Sequence, residues 1–306
     1  METGSTMTPT TETPTISAVV PAYNAADTIA RTIQSILDQT LPVCEVIVVD
    51  DGSKDETARI IDRFGAPVRR ITQENAGPNA ARNHGVREAR GEWIAFLDSD
   101  DRWLPNKLER MLPLLQDDPQ TGVVHCYTVD ERSWHKYDGE LTFDMLWDHN
   151  YVGTSTAIVR KAAWKSVGGF DEDRSLIGAE DYNMWLRMAA RDWKFRLCPE
   201  ELVEYTPAEG SLSSQVRRVL EGELLNARRI AEFADLPAER LRQRERELYA
   251  EYGVAMFHAR DRQGARQFLG AALKTRPSVD VLARWLATWL PDAVWKLRRR
   301  VPQSAA

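Results

Sequence analysis

The chain has 306 residues, of which 43% are hydrophobic and 28% charged, with a formal net charge of −6. These are the proportions of a soluble globular protein, and with no apolar run near the ~20 residues that cross a bilayer they exclude extended disorder, a fibrous repeat and a membrane-spanning helix. Residues 1–215 carry 22 Lys and Arg against 35 Asp and Glu, which excludes nucleic acid as a partner there, because phosphates are repelled unless a cation intervenes.

Residues 1–15, rich in Thr and Pro, read as a disordered leader. Residues 16–20 form a buried strand by length and β-branching, closing at Pro21, and are too short for a secretory signal core. Asp27 opens a helix whose Ile29, Ile33, Ile36 and Leu37 share one face. Residues 46–49 give a second buried strand, which leads through Asp50-Asp51-Gly52-Ser53 into a helix over about 55–64. A third strand covers 68–72. A helix over 79–89 stops at Gly91 as C-cap, and a fourth strand over 93–97 runs into Asp98-Ser99-Asp100-Asp101. Strands are expected at 123–129, 153–160 and 196–205, with a turn at Gly168-Gly169-Phe170 and a helix over 179–190. From about 214 the chain reads as helices over 216–233, 238–260, 263–275 and 279–299. Apolar strands alternating with amphipathic helices indicate a mostly parallel sheet covered on both faces.

In such sheets ligands bind at the carboxyl ends of the strands. Three of those ends carry polar clusters: Ala22-Tyr23-Asn24, Asp50-Asp51-Gly52-Ser53 and Asp98-Ser99-Asp100. Asp98 and Asp100, at i and i+2 after a rigid strand, are placed to hold a hard divalent cation while leaving sites open for diphosphate oxygens. A surface turn closing a strand is the alternative, and alignment with the other two strand ends favours the cation. Asp51 can accept from a base N–H while Tyr23 offers a ring to stack on; the same acids can instead cap the following helix, and the two roles are compatible. Glu180-Asp181 opens a helix, where the dipole favours an anion suited to general-base work. Plain charge compensation at a helix start is the other reading. The five histidines form no HxH or HExxH and the three cysteines no CxxC, so a zinc enzyme is not expected and a reducing, cytoplasmic compartment is.

The segments VVPAYNAADTIARTIQSILDQT (19–40), EVIVVDDGSKDET (45–57), QENAGPNAARNHGVREARGEWIAFLDSDD (73–101), VGGFDE (167–172) and GAEDYNMWLRMA (178–189) resemble, in order and spacing, those of family 2 glycosyltransferases. The resemblance covers about 16–213. It implies an α/β, Rossmann-like A-type glycosyltransferase fold with a nucleotide-binding part (16–101) and an acceptor-binding part (102–213), followed by an α-helical region (214–306). It also implies an inverting, metal-dependent transfer of a sugar from a nucleoside-diphosphate sugar to a glycan or lipid-linked acceptor, in polysaccharide, glycolipid or other cell-envelope glycan synthesis. By the same resemblance Pro21, Ala22, Tyr23 and Asp51 line the nucleobase pocket and Asp98 and Ser99 lie near the ribose or sugar. Asp100, with Asp98, holds Mn²⁺ or Mg²⁺. Asp181 is the base, with Glu180 on the acceptor side. Arg82 either approaches the donor or pins its helix to the crevice. Many members carry a His where this sequence has Ala208, which leaves water or Glu209 to complete the metal site.

Two other chemistries compete. Aspartate-nucleophile phosphoryl transfer also uses a strand followed by DxD, but Arg102 stands where that chemistry expects Thr or Val. A non-catalytic nucleotide-sugar-binding protein would bind donors without turnover, and the set Asp98, Asp100 and Asp181 weighs against it. A dinucleotide oxidoreductase lacks its GxGxxG. Trp134, Tyr137, Trp147 and Tyr151 either stack on an acceptor sugar or fill a core. In the tail, Val281, Leu282, Trp285, Leu286, Trp289, Leu290, Val294 and Trp295 make one apolar side, followed by Lys296, Arg298, Arg299 and Arg300. That composition suits peripheral contact through 279–300 with the inner face of an anionic membrane; packing on the preceding helices or on a second subunit is the alternative.

Overall fold

Apolar runs with no polar interruption bury strands on both faces, and the first, Ile16–Ala22 (β1), is buried throughout. The computed structural model describes residues 14–129, 137, 139–176, 178–206, 216–275 and 278–291. Ala208, Glu209, Trp134, Val294, Trp295, the cations at 296–300 and most of the proposed leader lie outside the described residues. The chain divides into two compact units that interleave in sequence. One draws on Met1–Glu140, Val152–Ser166 and Trp193–Tyr205, the other on Leu141–Tyr151, Val167–Asp192 and Thr206–Ala306.

The first unit is built on one mixed, mostly parallel eight-stranded sheet. Its strands are β1, β2 (Glu45–Asp50), β3 (Val68–Thr72), β4 (Trp93–Phe96), β5 (Arg102–Trp103), β6 (Thr121–Thr128), β7 (Ile158–Arg160) and β8 (Lys194–Glu204), in the order β3-β2-β1-β4-β7-β6-β8-β5. Strands β3, β2, β1 and β4 pair in parallel, with Val20 opposite Val48 and Val19 opposite Phe96. Helices α1 (Ile29–Leu37) and α4 (Lys107–Gln116) lay Ile29, Ile33, Ile36, Leu108, Met111 and Leu115 on Ala18, Val20, Val46, Val48, Ala95 and Leu97. Helix α3 (Pro78–Glu88) packs on the alternate residues of the same strands, which lie on the opposite face. There a Cβ on Gly85 would lie 2.5 Å from Val19 Cγ1, so only glycine lets α3 approach that closely. The fold class expected from the alternating pattern is the one observed.

Element ends differ where local bonds compete with the helix. Helix α1 begins at Ile29, because the Ala25 carbonyl accepts the N–H groups of Thr28 and Ile29 and puts Asp27 in a turn. Helix α2 is only Thr57–Ile61: Asp55 Oδ1 accepts from the Thr57 N–H (3.0 Å) and hydroxyl (2.6 Å), and residues 62–64 tighten into a turn. Gly91 is not a helix cap. Helix α3 ends at extended Ala89, and Gly91 lies against β1, where a Cβ would sit 2.6 Å from Ser17 N.

Helix α6 (Lys161–Ser166) belongs to the first unit; in the second, α5 (Phe143–Asp148) and α7 (Glu180–Ala189) join the helices α8 (Val216–Phe233), α9 (Ala238–His258), α10 (Arg262–Thr275) and α11 (Val279–Ala287). The Tyr182 hydroxyl on α7 donates to the Trp147 carbonyl (3.2 Å), and Asn183 Nδ2 donates to Asn226 Oδ1 on α8 (2.9 Å). Gly253 on α9 admits Leu269 on α10, which lies 2.9 Å from where a Cβ would stand. Helix α11 ends at Ala287, short of the expected 299, in a turn where the Thr288 hydroxyl donates to the Trp285 carbonyl (2.6 Å). Among the described residues no helix is long and apolar enough to cross a membrane.

Lys107, at the start of α4, is fully buried with its Nζ 4.5 Å from the centroid of the Trp103 ring and no hydrogen-bond acceptor among the described residues. Burial pushes its pKa down to about 8. The folded state therefore binds fewer protons than the unfolded between about pH 8 and the ordinary lysine range, and stability gained above that range is lost as pH falls through 8. Lys107→Met should raise stability at pH 7 by roughly 1–3 kcal/mol in urea unfolding, with the gain shrinking towards about pH 10; a loss at pH 7 would show that the Trp103 contact outweighs desolvation.

Candidate functional site

The parallel register ends three adjacent strands on one edge of the first unit. The Asp51 N–H donates to the Ala22 carbonyl (2.8 Å) and the Leu97 N–H to the Val19 carbonyl (3.2 Å), so the turns after β2, β1 and β4 emerge side by side. The expected convergence of the Tyr23, Asp51 and Asp98–Asp100 turns is thus present within this unit. Pro21 and Ala22 are the buried last residues of β1, and Tyr23 beyond them is 49% exposed. The first two turns are laced together. The Asn24 N–H donates to Ser53 Oγ (3.0 Å), the Lys54 N–H to Asn24 Oδ1 (2.8 Å) and the Ala25 N–H to Thr57 Oγ1 (2.8 Å).

Asp51 is buried. Its Oδ1 accepts from Gln73 Nε2 and the Ala76 N–H, and its Oδ2 from the Gly77 N–H, each at 2.8 Å. With three of about four acceptor directions used, its visible work is to pin the 73–77 loop beside the strand end. Gln73 is in turn held through Oε1, 2.8 Å from His84 Nδ1. Gly52, at φ +76, makes the turn between them, and a Cβ there would press on Asn75 N at 3.1 Å.

The aspartates after β4 have three distinct environments. Asp98 Oδ1 accepts from Arg82 Nη2 at 2.5 Å, and the same buried guanidinium donates through Nη1 to Asn79 Oδ1 (3.1 Å). Arg82 thus both reaches the crevice acid and ties α3 to it. Asp101 is buried, and its Oδ2 accepts from Ser155 Oγ (2.5 Å), which also accepts the Asp98 N–H (3.1 Å). On the other side of the turn, Thr32 Oγ1 on α1 lies 2.9 Å from the carbonyls of both Ser99 and Asp101. Asp100 differs from its neighbours: burial and the adjacent Asp98 charge raise its pKa above the usual carboxylate value, with Arg31 and Arg82 opposing. A half-buried acid crowded by a second acid is what a divalent cation relieves, so Asp98 and Asp100 offer two carboxylates to one, although among the described residues no group of three or more His, Cys, Asp or Glu could hold a metal ion. Sequence reasoning gave no role to Thr32, Gln73, Asp101 or Ser155, although the first three lie within the matching segments 19–40 and 73–101.

Glu180 and Asp181 lie in the second unit, at the start of α7. Gly178, at φ +76, and Ala179 lead the chain into the helix, and no side chain caps it. Asp181 Oδ1 accepts from Asn150 Nδ2 (3.3 Å) and the Tyr182 N–H (2.6 Å). Glu180 Oε2 is buried with no partner among the described residues. Of the aromatics considered for an acceptor, Tyr137 and Trp147 are buried; the Tyr137 hydroxyl lies 2.7 Å from His125 Nε2, which assigns that ring to the core.

The sequence matches the family model described as glycosyl transferase family 2 over residues 17–172. An uncharacterized glycosyltransferase of Rickettsia typhi is 32% identical over 58% of this chain and 59% of its own, so the chain spans less than two thirds of that relative. A putative teichuronic acid biosynthesis glycosyltransferase of Bacillus subtilis, TuaG, is 29% identical over 66% of this chain and 82% of its own. Among solved structures, the mannosyltransferase PcManGT of Pyrobaculum calidifontis, in complex with GDP-Man and Mn²⁺, aligns with a TM-score of 0.65 at 22% identity, covering 94% of this chain and 82% of that one. At that identity the likeness is one of fold.

Two outcomes follow from the strand-end geometry. The folded state holds a proton on Asp100 more readily than the unfolded state does, so its ionisation at neutral pH costs stability that is intact below the ordinary carboxylate pKa and lost as pH rises through the raised one. Asp100→Asn should therefore raise the metal-free melting temperature at pH 7, with the gain fading as pH falls towards about 4, and should remove any further rise on adding Mn²⁺. A lower melting temperature at pH 7 would contradict this. Ser155→Ala takes a donor from buried Asp101 and should cost about 1–3 kcal/mol in chemical denaturation; an unchanged midpoint would show that the clamp is idle.

Proposed function

We infer that this chain, which belongs to glycosyl transferase family 2, moves a sugar from a nucleoside-diphosphate sugar to an acceptor hydroxyl with inversion at the anomeric carbon. The observation that carries the reading is the side-by-side emergence of Tyr23, Asp51 and Asp98–Asp100 from three parallel strands, with Arg82 fixed on Asp98. Tyr23 offers its ring to the nucleobase, while Asp51 and the loop it pins form the edge of that pocket beside Pro21 and Ala22. Asp98 and Ser99 flank the ribose and sugar. Asp100, with Asp98, would hold Mn²⁺ or Mg²⁺, which supplies positive charge against the diphosphate as the nucleotide leaves.

Asp181 takes the proton of the acceptor hydroxyl, oriented by the Asn150 amide, and the oxygen attacks opposite the diphosphate. Glu180, with a carboxylate oxygen unpartnered among the described residues, accepts from the acceptor. A glycan or lipid-linked acceptor in a cell-envelope polysaccharide fits the putative role of TuaG in teichuronic acid biosynthesis. The GDP-Man and Mn²⁺ of PcManGT support the donor class and the divalent metal. The free cysteines Cys44, Cys126 and Cys198 suit a cytoplasmic site of action.

The test is a panel of UDP-glucose, UDP-N-acetylglucosamine and GDP-mannose, each with and without Mn²⁺, read by melting shift and by nucleotide release. A donor that raises the melting temperature should also be turned over. Asp181→Asn should lower turnover by roughly 10²–10⁴-fold and keep the donor-induced shift; near wild-type turnover would remove Asp181 from the role of base.

A further inference from the structure

Charge and apolar surface coincide at one end of the second unit. Residues 216–261 carry nine Lys and Arg and nine Asp and Glu, whereas residues 262–300 carry nine Lys and Arg and only two Asp and Glu. The positive balance of the helical region therefore falls entirely on residues 262–300, while α11 itself, with Asp280 and Arg284, is neutral.

Helix α11 has two apolar sides. One packs inward: Trp285 Nε1 donates to the Arg266 carbonyl of α10 (3.1 Å) and lies 3.1 Å from where a Cβ on Gly270 would stand, and Thr288 is fully buried. The other is exposed. Val279, Leu282 and Leu286, spaced i, i+3 and i+7, are 87%, 41% and 54% exposed, and Leu290, in the turn just after the helix, is 40% exposed. Trp289 extends this stripe, its ring 3.6 Å from the Arg266 guanidinium. Five of the nine large exposed hydrophobics among the described residues fall in this one stripe. A contiguous apolar face of that kind marks an interaction surface.

We propose that the outward face of α11 docks on an anionic lipid surface. The leucines and Val279 enter the boundary between headgroups and acyl chains, Trp289 sits at headgroup level, and the positive excess of residues 262–300 draws this end of the chain to the lipid phosphates. The charge selects the occupant. Two copies pairing through this same face would bring two positive ends together and be repelled, whereas an anionic membrane neutralises the excess. This inference stands apart from the transfer chemistry, since it uses none of the strand-end acids.

The full chain is mixed with vesicles of phosphatidylcholine alone, or of equal phosphatidylcholine and phosphatidylglycerol, and separated by flotation. Expected is binding to the mixed vesicles only, weakened by high salt. The double variant Leu282→Glu, Leu286→Glu should bind roughly tenfold more weakly or worse while keeping the wild-type melting curve, since both side chains are exposed. Absent binding to the mixed vesicles, or equal binding by the variant, would overturn the proposal. So would a concentration-dependent dimer in lipid-free sedimentation that the variant abolishes, because that outcome gives the face to a second copy.

Discussion

The crevice depends on one constraint: β1 pairs in parallel with both β2 and β4, in a register that brings all three to a polar turn at the same edge. Parallel strands expose their carboxyl ends together only when the connecting helices return the chain across the faces. Here α1 and α3 do so on opposite faces, and their fit is tight. The closeness of α3 at Gly85 also decides where Arg82, one turn earlier on the same helix, can reach. The guanidinium that steadies Asp98 is thus a consequence of how closely α3 lies on Val19 and Val49.

Within that frame, three neighbouring aspartates acquire different chemistry from different donors. Asp98 is neutralised by a cation, and Asp101 is buried against a serine hydroxyl. Asp100 carries a carboxyl whose charged form burial and Asp98 both disfavour. Were all three compensated by the protein, the turn would be a stable structural corner with little attraction for a cation. Because one is left in deficit, folding stores at that position a local preference for added positive charge. The clamps at Thr32 and Ser155 hold the turn so that this deficit is not relieved by the backbone swinging the acid into water.

Much of this frame was legible because buried parallel strands are written as unbroken apolar runs. Residues 68–72 and 216–233 coincide with β3 and α8, and the acids that follow β2 and β4 stand out against those runs. What escaped notice depends on partners distant in sequence. Ser155 meets Asp101 across 54 positions and Thr32 meets Asp101 across 69, so neither has a local signature. Gly91 looked like a helix cap, since a glycine after a helix usually is one; its actual work is to let the chain pass Ser17. Asp51 was legible as an acid at a strand end, but not as the anchor of the 73–77 loop, because nothing in its neighbourhood foretells where that loop returns.

The last helix shows the same limit in a different form. Hydrophobic spacing identifies α11 as amphipathic, yet it merges Val281 and Trp285 with Leu282, Leu286 and Leu290 into a single side. A helix turns 100° per residue, so that set spans too wide an arc to be one contact. The structure divides it by a polar detail: the indole N–H of Trp285 finds a carbonyl on α10, while Thr288 closes the turn beside it. Once those two hydrogen bonds choose the inward side, the leucines have no freedom left. They must face outward, and their exposure is the cost of satisfying the polar groups behind them.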